Sequence, residues 1–245
     1  MLIGQGSSRT DATDRRLACM LAAVAGGLNT AAFYAVGFFS ANMTGNVSAL
    51  SDHAARGDWM VGAFYLLIVV LFVLGAAIST LLINAGRRHG RRGIYALVIA
   101  LEGALLALLG GVEAIVEAAR QGTWMILGLS FLMGLQNAVV TRISDARVRT
   151  THVSGMSTDI GIELAVLLDV LRGKESADNT GPYRSRLRLH VQTVLSFLLG
   201  GVVGVLLYQV MGYKLLFVAA AILLMMVGEA FWRLRRERPG SITAA

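Results

Sequence analysis

Cysteine occurs once, as Cys19, so one chain can form neither a disulfide nor a thiolate metal site. Charge is also scarce. Only 15% of residues are Asp, Glu, Lys or Arg, against about 25% in a soluble domain. A core this apolar would leave too little polar surface to keep a soluble domain dissolved. Several motifs are missing too: no P-loop, His-Glu-x-x-His, Gly-x-Ser-x-Gly or Cys-x-x-Cys occurs. Their absence argues against an ATP-driven pump and against a familiar hydrolase. The four histidines, His53, His89, His152 and His190, are too scattered in sequence to suggest a metal cluster or a nucleophile–base set. No enzyme activity, cofactor or metal is expected. Residues 1–14 are polar and the first apolar stretch is too long for a signal-peptide h-region, so no cleaved leader is expected.

What the chain does contain is apolar sequence: 56% of residues are hydrophobic and the mean hydropathy is +0.65. Six stretches, at about 17–40, 59–84, 93–118, 122–142, 189–211 and 214–232, are long enough to cross a bilayer. The net charge of +7 does not point to nucleic acid, because the basic residues sit at the ends of these stretches. Arg9, Arg15 and Arg16 precede the first. Arg87, Arg88, Arg91 and Arg92 separate the second from the third, and a third cluster begins at Arg142 and Arg147. Arg233, Arg235, Arg236 and Arg238 follow the last. The alternate loops carry only Arg56, Arg120 and Lys214. The positive-inside rule then puts both termini in the cytoplasm. Trp59, Trp124 and Trp232 fall at span ends, as interface anchors do.

A polar signature interrupts these stretches twice. The first copy is Gly26-Gly27-Leu28-Asn29-Thr30 followed by Asn42-Met43-Thr44-Gly45-Asn46. The second is Gly134-Leu135-Gln136-Asn137-Ala138 followed by His152-Val153-Ser154-Gly155-Met156. Each copy precedes two further apolar spans, and a three-span unit repeated in tandem must invert. The charge pattern agrees, since it puts residues 41–58 outside and 150–171 inside. The expected fold is therefore an all-α polytopic membrane protein. Its six transmembrane helices form two inverted three-helix repeats, each with a broken or re-entrant polar segment. The boundaries are a tail at 1–16, repeats at 17–118 and 119–232, and a tail at 233–245, with a polar loop at about 172–188 holding Gly173, Asn179, Gly181 and Pro182.

The polar residues inside this frame are the candidate site. Asn42, Thr44 and Asn46 surround Gly45, where span one can break near Phe39–Gly45 and a short helix restart at about 46–56. Its N-terminus would offer N–H groups to an anion or dipole; an interfacial loop with an ordinary cap explains the same residues. Ser154 opens the counterpart segment, a helix at about 154–171 in which Asp159 and Glu163 share a face. With His152 these carboxylates could bind a cation or relay protons, or they could sit in water near Arg147 and Arg149. Asn29 and Asn137, with Gln136 beside the latter, serve either as interhelical hydrogen bonds or as solute contacts. Glu102 lies roughly 15 Å deep by helical rise, where a carboxylate marks a functional-site candidate. Glu113 and Glu117 are expected in water near the end of span three, and Glu229 is expected to pair with Arg233. Gly26, Gly27, Gly200, Gly201 and Gly204 are packing positions, and Gly200-x-x-x-Gly204 is a weak dimer signal.

The runs Ala25-Gly-Gly-Leu-Asn-Thr-Ala-Ala-Phe33 and Phe39-Ser-Ala-Asn-Met-Thr-Gly-Asn46 resemble the opening signature of the YoaK family. Gly134-Leu-Gln-Asn-Ala138 with Thr150-Thr-His-Val-Ser-Gly155 extends the resemblance, which covers about residues 17–232. This is a bacterial family of uncharacterised inner-membrane proteins. The resemblance implies a six-span protein of that membrane and brings no substrate. The family usually has aspartate where this chain has Asn29, and threonine where it has Ser154; the first departure removes a proton or cation site.

The expected function is a small secondary transporter or channel for a small polar solute or ion, acting within the lipid bilayer. Six spans make a thin scaffold, which a homodimer would thicken. A non-transport membrane factor in assembly or stress response, with the motifs as helix-packing contacts, is the alternative.

Overall fold

The computed structural model describes residues 1–3, 5, 9–116, 122–176 and 180–236. Glu117, Arg120, Asn179 and Arg238 lie outside the described residues. Among the described residues there are eight α-helices and no strand. They are α1 (Asp11–Val36), α2 (Met43–Ala55), α3 (Trp59–Arg88), α4 (Ile94–Ile115), α5 (Thr123–Ile143), α6 (Val153–Leu171), α7 (Thr180–Met211) and α8 (Leu215–Arg236). Five stretches are long and apolar enough to cross a membrane. Four are α1, α3, α4 and α5; the fifth, Thr180–Arg236, holds α7, a 3-10 turn and α8. Leu66, Val70, Val73 and Leu81 of α3 face outward, as do Leu198, Val202, Leu206 and Val210 of α7. An apolar exterior of this extent suits lipid and not water. The architecture is that of a multi-pass membrane protein.

Local chemistry sets the helix ends. Thr10 caps α1 by accepting the Thr13 N–H, and Asp11 and Asp14 suit the positive end of the helix dipole. Gly37, at φ +75°, ends α1 in the left-handed region, with its N–H on the Phe33 carbonyl. Thus α1 starts at Asp11, not near residue 17, and breaks at Gly37, ahead of the expected Phe39–Gly45. The chain before α1 is no free tail either: Leu2 is buried in the core, and Arg9 and Arg147 both pair with the buried Asp14. The expected loop at 172–188 is also shorter than read, because α7 begins at Thr180. Gly181 and Pro182 occupy its first turn, where proline's missing N–H would have had no helical partner.

Helices far apart in sequence make the main contacts. α1 packs on α7, α3 on α5, and α4 on α8; the short α2 lies on α3, and α6 on α7. Lipid tails remove the hydrophobic drive between helices, so close backbone approach has to hold them. A Cβ on Gly26 would overlap the Phe197 carbonyl oxygen, and one on Gly200 the Ala23 carbonyl oxygen. The α3–α5 pair is built alike: Gly134 lies on the Phe72 carbonyl and Gly75 on the Phe131 carbonyl. Gly204 lies against Gly27, so Gly200 and Gly204 are occupied within the chain.

Candidate functional site

In each polar signature the asparagine of the long helix accepts a hydrogen bond from the residue just ahead of the next helix's cap. At the first, Asn29 of α1 accepts the Ala41 N–H on Oδ1 at 2.8 Å. At the second, Asn137 of α5 accepts the Thr151 hydroxyl on Oδ1 at 2.8 Å and donates Nδ2 to the Met133 carbonyl at 2.7 Å. Ala41 and Thr151 each directly precede the residue that starts a short helix. Those residues are Asn42 for α2 and His152 for α6. Asn42 caps α2 by accepting the Gly45 N–H at 3.1 Å. The glycine three residues after each cap is steric: a Cβ on Gly45 would strike the Asn42 amide, and one on Gly155 the His152 ring. Asn46 is buried and donates to the Phe39 carbonyl at 2.8 Å, closing the turn between α1 and α2.

Both short helices start at one cavity of about 1090 Å³. Asn42, Met43 and Thr44 reach it from α2, and His152, Val153 and Ser154 from α6. Asn29, Thr30, Asn137 and Thr141 line it from the long helices. Phe39, Phe72 and Phe197 give it aromatic walls, and Arg149 stands at its edge. Arg149 donates to His152 Nδ1 at 3.2 Å; a guanidinium can only donate, so the other ring nitrogen of a neutral His152 carries its proton.

The structure divides the expected site residues among three places. Asn29, Asn42, Thr44, Asn137 and Ser154 share the cavity, with Asn46 behind them. Glu102 and Gln136 form a separate pair between α4 and α5. Gln136 Nε2 donates to Glu102 Oε1 at 3.1 Å, both side chains are fully buried, and Glu102 Oε2 and Gln136 Oε1 have no partner. Asp159 and Glu163 line a second cavity, of about 900 Å³, with Asp14, Arg147 and His190. Glu163 is buried against His190 at 3.1 Å, so it is neither in water nor joined to His152. Arg149 lines both cavities. The apolar residues Leu164, Leu168 and Leu171 of α6 face outward.

One further correction concerns Glu113. It is 2% exposed, not solvated, because Oε2 turns inward to accept the Gly122 N–H at 2.9 Å and so ties α4 to the start of α5. Glu229 pairs with Arg233 at 2.7 Å as expected, and with Arg16 at 3.0 Å. The three phenylalanines and Arg149 were not among the expected site residues. The glycines held a signal for two of them, since Gly26 seats the backbone of Phe197 and Gly134 that of Phe72, each in the other half.

The family described as "Protein of unknown function (DUF1275)" matches residues 17–228, most of the chain. The chain belongs to this family. The match begins in α1 and ends in α8, so both signatures, both short helices and the cavity between them lie inside the family's span. No curated protein and no solved structure matches the chain.

Proposed function

We infer that this protein is a small secondary transporter or channel for a small polar solute or ion, whose site is the cavity where α2 and α6 begin. The observation that carries this reading is the convergence on one cavity of the starts of α2 and α6, helices of 13 and 19 residues that each follow a break after a longer helix. In a bilayer, backbone that leaves helical geometry is tolerated where it lines a site or is buried in protein. Discontinuous helices meeting near the junction of two repeats are the usual transporter design. The inverted repeat is part of this proposal, with six spans assigned to α1, α3, α4, α5, α7 and α8. Helices of 26, 13, 30 and 22 residues are followed by helices of 21, 19, 32 and 22, the second of each set starting at the cavity, and the glycine-on-carbonyl contacts of α1–α7 recur in α3–α5. The positive-inside pattern and the YoaK resemblance support a bacterial inner membrane with both termini cytoplasmic. The second cavity, lined by acids and arginines together and sharing Arg149 with the first, then serves as the cytoplasmic approach. A homodimer is compatible with this scaffold, and the reading needs no enzyme chemistry.

A thermal-shift screen in detergent against ions, amino acids, sugars, nucleobases and organic acids tests the reading, because a ligand of the folded state raises its melting point. A solute that stabilises the protein and equilibrates across liposomes containing it supports transport. A cooperative melt that no compound shifts favours a packing or assembly role instead.

A further inference from the structure

Three features of the cavity agree on the sign of charge it accepts. First, its lining holds no Asp or Glu among the described residues. Second, both short helices present their positive ends there. The first-turn N–H groups of Met43 and Thr44 make no hydrogen bond, nor do those of Val153, Ser154 and Gly155. A helix N-terminus attracts an anion through such groups and through its dipole. Third, Asn29 carries an unused donor. The Ala41 N–H fixes its orientation by claiming Oδ1. Nδ2 has no partner and keeps accessible surface in a side chain that is 5% exposed and lines the cavity. A buried amide is normally satisfied, so the two N–H bonds of Nδ2 are available to a ligand acceptor. Arg149 adds a full positive charge at the rim.

We propose that the cavity binds an organic anion, with a carboxylate head between the N-termini of α2 and α6 and an apolar body against Phe39, Phe72 and Phe197. This deepens the solute-site reading above and rests on it. The volume of about 1090 Å³ exceeds the space one inorganic ion fills. Most of the lining away from the helix starts is apolar: Val194 joins the phenylalanines, and Leu198, Val202 and Leu206 of α7, each more than half exposed, form the side that opens outward. Such a wall suits a hydrocarbon body, while the donors suit its head. The second cavity does not share this preference, because Asp14, Asp159 and Glu163 stand among its cations.

Matched probes that differ only in charge test the assignment. The full chain in detergent is melted with benzoate, benzamide and benzylamine, and with pentanoate, pentanamide and pentylamine. A saturable rise in melting point with the two carboxylates, at least tenfold tighter than with their amides and amines, is expected. Asn29→Asp keeps an acceptor for Ala41 but replaces the free donor with negative charge. It is expected to melt near wild type and to lose at least tenfold in carboxylate affinity. Arg149→Gln, at an exposed rim position, weakens the same response. Equal or better binding of the amides or amines overturns the anion assignment and leaves the solute site standing, as does carboxylate binding unchanged in Asn29→Asp. Stabilisation by phosphatidylglycerol but by neither carboxylate overturns it in favour of a lipid headgroup. No shift with any probe, together with no hit in the broad screen, removes the solute-site reading itself.

Discussion

Truncating Asn137 releases two groups at once, the Met133 carbonyl and the Thr151 hydroxyl. One bond lies within α5 and the other ties α5 to the segment before α6; at about 0.5–1.5 kcal/mol per bond, Asn137→Ala should cost about 1–2 kcal/mol in a detergent melt. It should also loosen the start of α6 and lower the affinity of any cavity ligand; wild-type affinity would show that the joint does not shape the site. Glu102 gives a different outcome. Glu102→Gln keeps an acceptor for Gln136 and should melt within about 1 kcal/mol of wild type. Glu102→Ala strands a buried amide and should cost about 1–3 kcal/mol. Neither should change the solute response, because the pair lies outside the cavity lining. The amides of Asn29 and Asn137 were legible in the sequence because a polar group in an apolar run stands out. Phe39, Phe72 and Phe197 were not, because an aromatic in an apolar helix reads alike whether it faces lipid or a cavity. Arg149 was concealed among loop charges that already had an explanation in membrane orientation.

Two glycine substitutions separate packing from helix propensity. Gly134→Ala drives a methyl into the backbone carbonyl of Phe72, which no rotamer can relieve. Overpacking of this kind costs about 1–3 kcal/mol, and the α3–α5 contact should loosen. At Gly228, in α8, an added methyl would meet nothing within 4 Å. Gly228→Ala should therefore hold or raise the melt, by up to about 1 kcal/mol from helix propensity. Equal effects at the two sites would show that backbone contact does not hold α3 to α5. The long helices were legible from apolar length, and most of their ends fell within a few residues. The start of α7 was missed because Gly181 and Pro182 have the composition of a loop, whereas a proline in a first turn obeys the helix. The early break at Gly37 was missed because Phe38 and Phe39 continue the apolar run past the turn.

The arrangement across the bilayer is open to chemical labelling. With Cys19→Ala as background, Asp52→Cys should react with an impermeant maleimide on intact cells, and Arg91→Cys only after lysis. The reverse pattern would invert the topology that charge placement implies. The sequence made the apolar stretches and the charge asymmetry at their ends visible. It did not reveal which helices touch, since α1 with α7 and α3 with α5 are pairings across the chain. That crossing pattern bears on how the protein is made. The face of α1 that carries Gly26 and Gly27 leaves the ribosome about 150 residues before the start of α7. At about 5–20 residues per second, that is a wait of roughly 8–30 seconds. For that interval a notched helix sits in the membrane without its mate, open to any other small-residue helix nearby. The two halves, synthesised as separate polypeptides, should each be degraded alone and survive together.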